Sequence, residues 1–363
     1  MLRGEVVYIR AFDLAYDMKR QRIERILGQD VQEYFVGPSK PGPKQGFFYR
    51  PQMVTLPTRT CESSLGPVEV SMAAKVFNVG AISIRVRIPF AVPTLGDLVG
   101  YHGLELGGRS VAAEVLHLAE KVRRDLEASL VRPVAALVEG EDYMVFCIYE
   151  LPADGEGGSP RAEQWLMDNR RTVAGLLTQE PNATRLSEQE AAESTERYLT
   201  YYESDLVVTD WEAALVVGEQ DSLEEVIHIM ELANVQLAEL GAYDRALDRA
   251  LEAAYRDLSS RRRVKRDVRR ALREIRVDMA RLYDELQNIT KFFGDWHLAK
   301  IYQNLSGRFH LSDWHGIIGV KLRTLADLYA LLHQDWINMW MVILEGTIVL
   351  LFIIDVILLL AGL

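Results

Sequence analysis

Met341 to Leu363 reads MVILEGTIVLLFIIDVILLLAGL, with Glu345 and Asp355 as its only charged residues. A bilayer crossing needs about 20 mostly apolar residues in one helix, and this stretch is long enough. From Ile348 to Ile354 it has no polar position, which argues against a half-exposed core helix. Trp336 and Trp340 stand just before it, where aromatic rings favour the membrane–water interface. The expectation is one transmembrane helix over 337–363, acting as a tail anchor; the alternative is a buried core helix. Lys321, Arg323 and His333 lie on the N-terminal side, so the positive-inside tendency puts residues 1–340 in the cytoplasm, at a cytoplasmic (inner) membrane. The opening MLRGEVVYIRAFDLAYD has no basic-then-apolar run and reads as no signal peptide.

At 363 residues the chain can bury a sizeable core, with room for two soluble units before the anchor. A net charge of -11 excludes a chain that is basic throughout. Cys61 and Cys147 are too few and too far apart for a disulfide framework or a zinc set. No P-loop, HExxH, GxSxG or CxxC is present, and no nucleophile–base pair stands out. The expectation is a protein that is not an enzyme, with no cofactor, no metal and no evident small-molecule substrate.

Working outward to the N-terminus, residues 1–218 read as an α/β sandwich. Strands are expected at Glu5–Ile9, Phe47–Leu56, Val68–Val76, Ala81–Pro89, Tyr143–Tyr149, Arg197–Val208 and Ala213–Val217. Ala81–Pro89 alternates apolar residues with Ser83, Arg85 and Arg87, the sign of a half-exposed strand, and Asn78-Val79-Gly80 before it suits a hairpin turn. Helices are expected at Asp13–Leu27, from the spacing of Leu14, Met18, Ile23 and Leu27, and at Ser110–Leu130. Gly37–Gly46 reads as a loop and Gln179–Ser194 as a polar surface excursion. Residues 219–336 read as a helical, coiled-coil-like antiparallel stalk. Asp221-Ser222 suits its N-cap, and Gly241 is a candidate interruption. A heptad seam runs from Leu247 to Phe293, about 47 residues or roughly 70 Å of helix that needs a partner helix. A break near Gly294 and a loop over Gly307–Ser312 precede a last helix, Ile317–Asp335, that feeds into the anchor. The fold class is therefore α+β.

Four constellations carry chemistry. Arg261, Arg262, Arg263, Lys265, Arg266, Arg269, Arg270 and Arg273 are opposed only by Asp267. They suit a solvated or internally ion-paired helix face, an RNA or ribosome contact, or anionic lipid headgroups. Glu345 and Asp355 lie inside the membrane span, about 80° apart around the helix, with Asp355 about 22 Å beyond Trp340. An ionised acid there costs roughly 2.5–3.5 kcal/mol, so it should face protein or water. That favours association of several copies, or else a cation or proton path. His310, Asp313 and His315 have metal-like spacing but lack a third strong ligand, so an ordinary surface loop is the plainer reading. Tyr198, Tyr201, Tyr202, Glu203, Asp205, Asp210 and Trp211 could hold a cation, or simply pack where elements meet.

Several stretches, in order, resemble a known family. Leu344-Glu345-Gly346-Thr347-Ile348 with Asp355, Phe292-Phe293-Gly294-Asp295-Trp296 with Tyr302, Val6 to Leu14, and Val76 to Ile84 resemble segments of the required-for-meiotic-nuclear-division family. The resemblance implies an inner-membrane, oligomeric, non-catalytic protein, of a kind whose mitochondrial relatives support translation near the membrane. The layout also resembles CorA-type magnesium channels, but their second membrane helix and Gly-Met-Asn loop are missing here. The expected function is a membrane-anchored homo-oligomeric scaffold that presents its cytoplasmic domains to a partner, with an ion-conducting or ion-sensing oligomer as the alternative.

Overall fold

The computed structural model describes residues 1–19, 23–34, 51–134, 137, 140–152, 161–259 and 296–360. The chain divides into two compact units. The first is Met1–Leu240 with Glu285–Ser312; the second is Gly241–Asp284 with Asp313–Leu363.

The first unit begins with β1 (Leu2–Asp13), whose Val6, Val7, Ile9 and Ala11 are buried on both faces, as befits a central strand. Then come β2 (Ala15–Met18), β3 (Arg25–Ile26), β4 (Gln29–Asp30) and β5 (Gln32–Glu33). These overturn the expected helix over 13–27. Residues 15–18 pair antiparallel with Leu130–Pro133, Met18 opposite Leu130, and Leu27 and Gly28 turn β3 into β4 at φ +56° and +74°. The ladder buries the same Leu14, Met18 and Ile23 that helical spacing would have buried, so tertiary pairing overrides the local pattern.

An antiparallel meander follows, of β6 (Gln52–Thr55), β7 (Arg59–Ser63), β8 (Gly66–Val76) and β9 (Ala81–Val92). Its expected hairpin turn is present. Gly80 sits at φ +94°, where a Cβ would lie 2.2 Å from the Ala15 carbonyl oxygen, so only glycine fits. Next are β10 (Glu105–Leu106), β11 (Arg109–Ser110), α1 (Val111–Leu126), β12 (Leu130–Pro133) and β13 (Glu141–Ile148). Ser110 caps α1 by accepting the Ala113 N–H at 3.2 Å. Helices α2 (Ala162–Asp168), α3 (Arg170–Leu177) and α4 (Glu188–Ser194) come before β14 (Tyr198–Leu199), β15 (Leu206–Thr209) and β16 (Ala213–Val217). The expected strand Arg197–Val208 is thus two short strands. The Asp205 carboxylate caps the turn between them, accepting the N–H groups of Tyr201 and Tyr202.

The main sheet runs β11-β10-β7-β8-β9-β1-β13-β16-β15-β14, with β6 also on β8 and β5 on β6. Every pair is antiparallel except β13–β16. On one face Val111, Val115, Ala119, Val122 and Leu126 of α1 fall at helical spacing and join Ile82, Ile84, Val86, Ile88, Phe146 and the α3 residues Val173, Leu176 and Leu177 in one core. The other face receives α5 (Gln220–Ser259). From Ile229 to Leu240 every residue of α5 is buried, and Tyr302 of α6 (Trp296–Arg308) donates its hydroxyl to Gln236 at 2.5 Å. The sheet therefore lies between two helical layers, and the fold is α+β, as expected.

Gly241 does not interrupt α5, which runs unbroken to Ser259; one helical glycine costs only about 1 kcal/mol. The expected loop over Gly307–Ser312 shrinks to Phe309 and His310, the latter at φ +50°, between α6 and α7 (Leu311–Leu360). In the second unit Lys321 of α7 bridges Asp244 and Asp248 of α5, at 2.6 Å each. As expected, α7 continues without a break into the apolar segment. Trp340–Leu358 is the one stretch among the described residues long and apolar enough to cross a membrane.

Candidate functional site

The densest polar chemistry lies where the sheet meets α5. The even-numbered side of β9 faces the α1 core, so Ser83, Arg85 and Arg87 point the other way, beside Lys75 of β8 and Glu5 of β1. The alternation had suggested that these three face solvent. Instead Ser83 is 0% and Arg85 4% exposed, because α5 covers them with carboxylates of its own. Glu224, His228, Glu231 and Asn234 recur every three or four residues and form one stripe on that helix.

The two stripes interlock. Glu231 Oε2 accepts from Lys75 Nζ at 2.5 Å and from Arg85 Nη2 at 2.6 Å. Arg85 Nη1 donates to Glu224 Oε1 at 2.5 Å, Arg87 donates to the same carboxylate, and Arg87 Nη1 lies 3.6 Å from Glu5. Tyr34 donates its hydroxyl to Glu224 and lays its ring over Lys75, 3.4 Å from Nζ to the centroid. His228 Nδ1 lies 3.5 Å from Lys75 Nζ and 3.7 Å from Glu231. Three cations thus meet three carboxylates. Among the described residues Ser83 Oγ, Arg85 Nε and Glu231 Oε1 are buried without a hydrogen-bond partner.

Burial dominates the titration here. It pushes the Lys75 ammonium down to about 7; Glu231 pulls the other way and Arg85 reinforces burial. It takes the His228 imidazole down to about 4, helped by Lys75. For the two α5 carboxylates the cations outweigh burial. Arg85 and Arg87 bring Glu224 to about 2, and Arg85 and Lys75 hold Glu231 well below its usual value.

A cleft of about 540 Å³ opens near the start of β13, lined by Arg10, His102, Asp142, Trp211, Glu212 and Phe309 among others. Its polar groups largely satisfy one another. Arg10 pairs with Asp142 at 3.0 Å, Gln179 donates to Glu212, His102 Nε2 is 2.7 Å from the Leu176 carbonyl, and Tyr143 donates to the carbonyls of Asp210 and Ala213.

The expected site residues are placed as follows. Arg261, Arg262, Arg263, Lys265, Arg266, Arg269, Arg270 and Arg273 lie outside the described residues, as do Gly37–Gly46 and the expected break near Gly294. Glu345 and Asp355 lie on the apolar part of α7. The aromatic–acidic cluster is not one site. Tyr201 stacks edge-on with Tyr202 and lies 5.2 Å from His297, whereas Trp211 packs on Phe309 and His310 and Asp210 lies 3.7 Å from Arg308. Among the described residues no group of three His, Cys, Asp or Glu side chains could hold a metal ion.

The sheet–α5 network was not anticipated. Its signal was the pairing of two patterns: Arg85 and Arg87 at strand spacing, and Glu224, His228 and Glu231 at helix spacing.

No solved structure matches this chain. A protein of the archaeon Methanocaldococcus jannaschii, described as uncharacterized protein MJ0711, is 23% identical over 224 residues, 61% of this chain. The match covers 66% of that relative, just under two thirds of its length. Residues 3–223, from β1 to the first turn of α5, match a family model, and the chain belongs to the family of the MJ0711 N-terminal domain, described as uncharacterized.

Proposed function

We propose that this protein is a membrane-anchored, self-associating scaffold whose α/β unit faces a cytoplasmic partner. The observation that carries this reading is the helix Trp340–Leu358, with a mean hydropathy of 2.6 and none of that window buried. An apolar surface of that size needs lipid or protein around it. Glu345 and Asp355 add the case for self-association. A lone helix cannot shield either acid from hydrocarbon, whereas neighbouring copies can. The stretches similar to the required-for-meiotic-nuclear-division family fit the same plan, and Arg261–Arg273 is the segment proposed to meet a polyanion such as RNA, a ribosome or an anionic lipid surface.

Two measurements test this. The protein should stay in the membrane pellet after alkaline carbonate washing, and light scattering in mild detergent should give a mass of at least two copies. Recovery in the soluble fraction would remove the anchor, and a monomer would remove the assembly. Asp355 within the apolar helix also favours a second reading, an ion-conducting oligomer. Flux into liposomes that is lost in Asp355→Asn while assembly persists would select it.

A further inference from the structure

Lys75 is 0% exposed, yet its ammonium has one hydrogen-bonding carboxylate oxygen, Glu231 Oε2, and shares it with Arg85. Glu231 Oε1 takes no bond among the described residues. Two cations on one oxygen, out of water, oppose each other. The tyrosine ring beneath Lys75 attracts a cation but cannot accept its proton.

We infer that the Lys75–Arg85–Glu231 cluster is a proton-operated latch on α5: the closed contact tolerates Lys75 as a neutral amine, and lifting α5 off the sheet lets Nζ take up one proton from water. Closing releases that proton. Alkaline solution therefore tightens the grip on α5 and acid loosens it.

The groups facing Lys75 leave it as the one that moves near neutrality. From β9 they are Arg85, held protonated by Glu231 and Glu224, and the hydroxyl of Ser83 opposite Lys75. From α5 they are Glu224, which stays ionised, Glu231, held well below its usual value, and His228, which stays neutral until about pH 4. After β5 stands Tyr34, whose hydroxyl burial pushes further up, and on β6 the opposite residue, Met53, does not titrate. Glu5 lies beyond Arg87, its carboxyl raised by burial. The amine itself lies near 7, within reach of physiological change. The residues held are the buried run Ile229–Leu240 and the turn before it, on a helix that continues to Ser259.

Amide hydrogen exchange of the full chain in detergent, corrected for intrinsic exchange at each pH, tests the latch. Protection of the Leu223–Leu240 amides should rise up to about tenfold per pH unit between pH 7 and 9, the slope of one linked proton. Lys75→Arg, which keeps its charge throughout, should lose that slope while retaining Glu5 and every other group. A flat wild-type profile, or an equal slope in Lys75→Arg, overturns the inference. If Lys75→Arg does not fold, ¹⁵Nζ NMR of wild-type Lys75 decides: a midpoint below about 8 upholds the latch, and one near 10, the ordinary lysine value, overturns it.

Discussion

Neutralising Glu231 is the sharpest perturbation of the sheet–α5 contact. Glu231→Gln keeps the shape and an acceptor oxygen but removes the negative charge that Lys75 and Arg85 share at 2.5 and 2.6 Å. Arg85 retains Glu224; Lys75 retains, besides that oxygen, only the Tyr34 ring and His228. The balance of three cations and three carboxylates becomes a net buried positive charge. Removing one partner of a buried pair costs about 3–5 kcal/mol, and the upper half of that range applies because two cations are stranded. Lys75→Met should cost less, about 1–3 kcal/mol, since Glu231 keeps Arg85 and the methionine fills the space. The double variant restores neutrality. It should be less destabilised than the sum of the singles by about 1.5–3 kcal/mol. The assay is urea unfolding followed by far-UV circular dichroism, at pH 6.5 where Lys75 is charged. A Glu231→Gln loss below 1 kcal/mol, or singles that add within about 0.5 kcal/mol, would refute the reasoning.

Two further outcomes follow from particular residues. His228 titrates at about 4 in the folded chain and near 6.5 unfolded. The unfolded chain therefore binds more protons between those values, and the contribution is fully present above pH 6.5. As pH falls through the window to 4, stability should drop by up to about 3 kcal/mol; urea midpoints that stay level from pH 6.5 to 4.5, or decline equally in His228→Gln, would contradict this. Gly80→Ala forces a Cβ to 2.2 Å from the Ala15 carbonyl at φ +94°. It should cost at least about 2 kcal/mol, read as a lowered thermal midpoint, and an unchanged midpoint would show that the turn can relax.

The readable parts of the fold were those in which local pattern and tertiary environment agree. β8, β9 and the Gly80 turn were visible because β-branched alternation and a glycine at positive φ were both satisfied in place. The apolar run of α7 was visible because length and composition suffice to identify it. Residues 13–27 misled because apolar residues four or five apart suit a helix face as well as a chain that zigzags under its own sheet, and only pairing with β12 decides. Helices α2 and α3 passed unnoticed since seven or eight residues give barely two turns of periodicity. The network at Lys75 was hidden for a different reason. Each stripe, read alone, looks like a solvated face, and a charged residue on a strand is usually exposed. That Arg85 meets Glu231 is a fact about residues 146 positions apart, which no local window contains.

A helix buried on all sides raises the question of what fixes its register. From Ile229 to Leu240 two thirds of the buried residues of α5 are apolar, and a shift by one turn would exchange one set of greasy contacts for another, so register has to come from the polar positions: Asn234 on the Glu141 carbonyl, Gln236 on Tyr302, and the charged stripe. Of these the charged stripe carries the largest penalty for a slip. Sliding α5 by about 5.4 Å would carry Glu231 away from both Lys75 and Arg85, and Glu224 away from Arg85 and Arg87, leaving several buried ions unpaired at once. A buried ion pair is weak evidence for stability but can specify one arrangement among several. Replacing Lys75, Arg85, Glu224 and Glu231 together by Met, Met, Leu and Leu tests this division of labour. The variant should be within about 2 kcal/mol of wild type, because two cations and two carboxylates go together and Arg87 keeps Glu5, yet it should lose its single register. Cysteines placed on β9 and α5 would then crosslink at two positions one turn apart instead of one. A variant that keeps the single crosslink would show that the helix is seated without these charges.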